Sequence, residues 1–199
     1  MVDSFIDRGV SFIIEKGAIP DTQGQREIYR YGLELSVYYI IHAILLLAIG
    51  ALFGRMMEVA LLLFLFGLVQ SNGGGYHANT HGKCMTFMTA GTLVFIAMLP
   101  IFQTYILLQL AAITFGLAAV IYLAPVAHKN HPLSRDQSKI LGLRAKWLAC
   151  MISLLWLVLV VLGMGASIRE TISISMLYSG ISIIFAQMAY SRSNKDDSL

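Results

Sequence analysis

The chain has 199 residues, 57% of them hydrophobic and 13% charged, with a formal net charge of +3. A soluble domain carries about 25% charged residues, so a mean hydropathy of +0.73 excludes an ordinary soluble domain and a disordered chain. With so small a net charge the pI of ≈ 8.9 does not indicate a nucleic-acid partner, and the basic excess fits cytoplasmic loops of a membrane protein.

Residues 1–31 read as an interfacial N-terminal segment. Val2, Phe5, Ile6, Val10, Ile13 and Ile14 recur at helical spacing. Asp3, Asp7, Arg8, Glu15 and Lys16 interrupt every apolar run there, so the segment does not have the form of a secretory signal. An amphipathic helix is predicted over residues 2–16, lying on the inner membrane face or docked on the rest of the protein. Pro20 ends it. Thr22 with Gln25 fits a capping box for a helix that runs on into the first span.

A bilayer core needs roughly 20 apolar residues per helix, and six runs qualify or come close. They are Leu33–Phe53, Met56–Val69, Met85–Leu99, Gln103–Leu123, Trp147–Met164 and Thr171–Tyr190. The third is expected to stop at Pro100, which has no N–H to continue a helix. The fourth stops before Pro125. The second and third are short, so a five-span chain bent within 85–123 is the alternative. Charge decides between them. Twelve of the 14 basic residues fall on one side in a six-span chain, and only Arg55 and Arg169 on the other. The positive-inside rule then puts both termini in the cytoplasm. The expected fold is an all-α integral membrane protein of one polytopic domain over 1–199: a six-helix bundle over 32–190 and a polar cytoplasmic tail over 191–199.

Polar residues inside spans are costly and are functional candidates by default. Glu34 enters span one near the cytoplasmic face, either as an orienting or substrate-binding group or as a carboxylate snorkelling to the interface. His42 is expected to be a hydrogen-bonded core histidine. Arg55 and Glu58, three apart, can pair. Cys150 reads as a small buried hydrophobe. Trp147, Tyr122 and Tyr190 sit at span ends, as interfacial anchors do. Gly163 and Gly165 mark a span terminus.

The most polar stretch of the interior, Gln70 to Cys84, lies between two short spans and contains Gly73-Gly74-Gly75-Tyr76-His77. Irregular backbone near membrane depth survives only where protein or a wet cavity satisfies it, so this stretch suggests an interfacial site. Cys84 is its nucleophile candidate. Lys83 beside it favours the thiolate, and His77 can serve as the base. In one continuous helix the two would stand about 10 Å apart, so a pair requires a turn between them, which Gly82 can supply. Ser71, Asn72 and Asn79 are polar alternatives for orienting the base, and each is more often a turn former. A metal reading competes: His77, His81 and Cys84 are zinc-type ligands, with no obvious fourth.

Gly74-Gly75-Tyr76-His77-Ala78, with Cys84 seven residues after the histidine, resembles the accessory gene regulator protein B (AgrB) family. Tyr31-Gly32-Leu33-Glu34 resembles its approach to the first span, and Ala124-Pro125-Val126-Ala127-His128-Lys129-Asn130-His131-Pro132-Leu133 its cytoplasmic loop. The likeness runs along essentially the whole chain. The chain departs from the family pattern at Gln70, where members often carry a basic residue, and at His128 and His131, where others have more lysine.

The resemblance implies a bacterial cytoplasmic-membrane cysteine endopeptidase, with Cys84 and His77 as its catalytic pair. Its substrate would be an AgrD-type propeptide, which loses its C-terminal part and is cyclised into a quorum-sensing signal through a thioester on Cys84. Lys129, His128 and His131 would hold an acidic propeptide tail, or simply report topology. No cofactor, metal or nucleic acid is implied, and a homodimer is compatible with the small size. Two other classes compete: a small peptide transporter whose glycine-rich break forms the substrate site, and a zinc-dependent membrane protease.

Overall fold

The computed structural model describes residues 2–16, 22–74, 81–126 and 134–196, and only the backbone of helical residues 2–5, 23, 81 and 192–196. Among these residues seven helices occur: α1 (Val2–Glu15), α2 (Gln23–Leu52), α3 (Met56–Gly73), α4 (His81–Thr104), α5 (Ile106–Leu123), α6 (Arg135–Val161) and α7 (Ala166–Asp196). Helices α2 to α7 are each long and apolar enough to cross a membrane. The chain divides into two compact units, Met1–Leu46 and Leu47–Leu199.

In the first unit α1 packs on the beginning of α2. A Cβ added at Gly9 would lie 2.7 Å from Leu33 Cδ2, so the two helices come close at this point. Arg30 Nε donates to Asp7 Oδ1 at 2.9 Å. Ile6 and Val10 of the predicted apolar face are buried. As expected, α2 starts immediately after Thr22 and runs unbroken into the first span.

In the second unit α7 is the central helix, packing on α3, α4, α5 and α6. It is buried all round from Glu170 to Met176. Its hydroxyls turn back onto their own helix: Thr171 Oγ1 donates to Ser167 O at 2.8 Å, Ser173 Oγ to Glu170 O at 2.8 Å and Ser175 Oγ to Thr171 O at 2.7 Å. Small residues let backbones close up where lipid supplies no hydrophobic drive. A Cβ at Gly116 of α5 would run into the Met176 carbonyl oxygen, and one at Gly180 would come within 3.0 Å of Gly116 Cα. The apolar core joins Leu65 and Val69 of α3, Ile113 and Val120 of α5, Ala145, Ala149, Ile152 and Trp156 of α6, and Ile172, Met176 and Ile183 of α7.

Several expected boundaries shift. Helix α4 does not stop at Leu99 but runs through Pro100 to Thr104, and the chain breaks at Tyr105. A proline in a helix forfeits one hydrogen bond without forbidding the next turn. Helix α6 starts at Arg135 rather than Trp147, because Ser134 and Gln137 form a reciprocal capping box. Helix α7 starts at Ala166, after Gly163 and Gly165, whose φ values of 65° and 62° make them the expected terminus.

Candidate active site

The polar stretch divides more sharply than its composition suggests. Gln70 to Gly73 continue α3, and His81 to Cys84 open α4. Ser71 Oγ and Asn72 Nδ2 both donate to Leu68 O, at 3.1 and 3.0 Å, and so act as helix-end groups. Gly82 lies inside α4 and does not make the turn expected of it. His77 lies outside the described residues, as do Asn79 and the side chain of His81, so the His77–His81–Cys84 metal reading falls mostly outside them too.

The end of α3 is stitched to the segment after α5. Val126 N donates to Gly73 O at 3.0 Å. Gly74 has φ of 71°, and a Cβ there would run into the Val126 carbonyl oxygen, so both conformation and space demand glycine. Pro125 seats on α6, its Cδ 2.8 Å from where a Gly142 Cβ would be. The glycine-rich and Ala124-Pro125-Val126 motifs, 50 residues apart, are thus one structural joint. From it leave the segment carrying His77 and the segment carrying His128, Lys129 and His131. These last three residues also lie outside the described residues.

Cys84 is a free thiol of intermediate exposure, in the first turn of α4. The first turn of a helix presents N–H groups without intrahelical acceptors and favours negative charge. Cys84, Met88, Gly91 and Phe95 share one face of α4. Phe95 is buried, and Gly91 O accepts from Tyr178 Oη of α7 at 2.8 Å. The thiol therefore extends the face that α4 turns towards α7. Nothing in the sequence singles out Tyr178; its partner is 87 residues away.

The other candidates separate clearly. Glu34 is half-buried on α2, in the first unit. His42 is buried as expected but not hydrogen-bonded: neither ring nitrogen has a partner among the described residues. The reading of Cys150 as buried is overturned, since it is exposed. Helix α6 buries a stripe of Gly142, Ala145, Ala149, Ile152 and Trp156, and position 150 falls off it. Arg55 Nη1 pairs with Glu58 Oε1 at 3.1 Å as expected, and Ser167 Oγ donates to the same oxygen at 2.8 Å. Of the predicted anchors Trp147 and Tyr122 are exposed, whereas Tyr190 packs against the core.

These features define a polytopic helical membrane protein with a cysteine in the first turn of a spanning helix. The chain belongs to the accessory gene regulator B family, whose sequence model matches residues 6–188. It is 25% identical over 123 residues to a Clostridium perfringens (strain 13 / Type A) protein that carries the name AgrB-like protein 2. That match covers 58% of this chain and 57% of the relative, so the chain spans little more than half of that protein's length. No solved structure matches.

Proposed function

We propose that this protein is a cysteine endopeptidase of the bacterial cytoplasmic membrane that matures an AgrD-type propeptide into a cyclic quorum-sensing signal. The observation that carries the reading is the position of Cys84, in the first turn of α4 on the face turned to α7, within a chain of this family. His77 takes the proton from the Cys84 thiol, and the thiolate attacks a peptide carbonyl of the propeptide. Backbone N–H groups of the α4 first turn suit the oxyanion. As the intermediate collapses, the C–N bond breaks, His77 returns the proton to the leaving amine, and the C-terminal fragment departs. A thioester remains on Cys84.

The thioester keeps the energy that a free carboxylate would lack. An internal Cys or Ser of the propeptide attacks the acyl carbon, its proton passes to His77, and Cys84 leaves as the thiol. The ring is then a thiolactone or a lactone. Water competes for the same carbon, so excluding it favours cyclisation over hydrolysis. Lys129, His128 and His131 steer the acidic tail of the propeptide, and Glu34 orients the base or binds a substrate amide. Both termini lie in the cytoplasm.

Mass spectrometry of a candidate propeptide incubated with the protein in lipid vesicles tests this. The wild type releases a C-terminal fragment and carries an acyl adduct on Cys84, while folded Cys84→Ala and His77→Ala proteins do neither. Cutting by Cys84→Ala overturns the assignment. Inhibition by a chelator but not by a thiol alkylator points instead to a metal.

A further inference from the structure

The helix that carries Cys84 is gripped unevenly. Thr92, Phe95, Leu99 and Phe102 of α4 are buried, and all follow Gly91. From Cys84 to Gly91 every residue is half-buried or exposed. Packing therefore fixes the far part of α4 better than the part that bears the thiol. At the boundary between the two, the phenol of Tyr178 donates its hydroxyl to Gly91 O at 2.8 Å. Its ring stands 3.9 Å from where a Gly91 Cβ would be, against the helix.

We propose that Tyr178 is a positioning residue for Cys84: its hydroxyl fixes the height and rotation of the first turns of α4 against α7. The inference rests on the reading of Cys84 as nucleophile. Gly91 is two turns from Cys84, about 10 Å along the axis and nearly on the same azimuth. What holds Gly91 thus holds the thiol, through a rigid segment. A rotation of roughly 20° moves an atom about 5 Å from the helix axis by roughly 1.7 Å, and a misplacement of about 1 Å can cost a reaction 100-fold. The Gly91 carbonyl is an acceptor fixed in the backbone, so it reports helix position rather than side-chain conformation. Tyr178 itself is anchored on α7, the helix on which the rest of the unit packs.

Tyr178→Phe in the full chain, reconstituted in lipid vesicles, tests the proposal on two readouts. The first is a nitroxide on Cys84 in a Cys150→Ala background. The expected spectrum has one immobilised component with Tyr178, and a second, mobile component with Tyr178→Phe. The second readout is single-turnover cleavage of a propeptide that the wild type cuts. Tyr178→Phe is expected to lower the single-turnover rate constant at saturation about tenfold, with the half-saturating concentration within twofold. Tyr122→Phe, which removes the hydroxyl of an exposed tyrosine, changes neither. A purely structural role would lower the folded fraction and leave both the line shape and the rate per folded molecule unchanged. That result, or an unchanged spectrum alone, overturns the proposal. Cutting by Cys84→Ala instead overturns the peptidase reading, while the spectrum still reports whether Tyr178 holds position 84.

Discussion

Gln109 is 2% exposed on the largely apolar α5, and both ends of its amide are used. Nε2 donates to Phe102 O at 2.8 Å, a carbonyl freed where α4 ends, and Oε1 accepts from Trp156 Nε1 of α6 at 3.0 Å. Such bonds inside membrane proteins are worth about 0.6–2 kcal/mol. Trp156→Phe is therefore expected to destabilise the protein by about 1–2 kcal/mol in a detergent-denaturation titration. Adding Gln109→Leu is expected to cost less than the sum of the two single changes, because it removes the acceptor that Trp156→Phe orphans. Cys150→Ala, off the buried stripe, should stay within about 0.5 kcal/mol of wild type. Near neighbours of this kind were legible in the sequence: Arg55 and Glu58 pair because three residues separate them. The third partner, Ser167, is 109 residues from Glu58, and no local pattern reveals it. The outward face of Cys150 was hidden for another reason. In a helix that is apolar all round, periodicity does not separate core from lipid.

Among the elements, the tightest constraint is the α5–α7 contact. Gly116→Ala forces a methyl against the Met176 backbone, and overpacking of this kind costs about 1–3 kcal/mol. The same titration should show the loss, with cysteine cross-links between α5 and α7 weakened in parallel. Gly74→Ala faces both a positive φ and the Val126 carbonyl. We expect it to abolish propeptide cleavage while the helical content measured by circular dichroism stays unchanged. Helix existence and order followed from the apolar runs. Helix ends did not, because they are decided by local chemistry that hydropathy averages away. Ser134 and Gln137 start α6 twelve residues before its apolar run begins at Trp147, and Pro100 is tolerated five residues before the break at Tyr105. The joint between Gly73 and Val126 lay in two recognisable motifs, yet their contact is tertiary and left no mark on either.

For the molecule as a whole, the distribution of arginine and lysine carries the orientation. A cysteine replacing Ser191, in a background lacking Cys84 and Cys150, should react with a membrane-impermeant maleimide only from the cytoplasmic side. One replacing Met164 should react only from outside. The reverse pattern would invert the site as well as the termini. The number of spans was readable because six helices and a one-sided charge distribution agree. The proposed chemistry rests mainly on motif resemblance, since His77 and the basic segment draw their meaning from positions that composition alone does not rank.

The Gln109–Trp156 bond also sets a schedule. The two residues are 47 positions apart, and at roughly 5–20 residues per second the ribosome delivers the indole some 2–9 s after the amide. During that interval α5 enters the membrane with a carboxamide oxygen that its finished partner does not yet cover. Until α6 arrives, water or another polar group is needed to satisfy that oxygen. A chain truncated between α5 and α6 lacks the indole that covers this amide, and it is expected to be a substrate for membrane quality control.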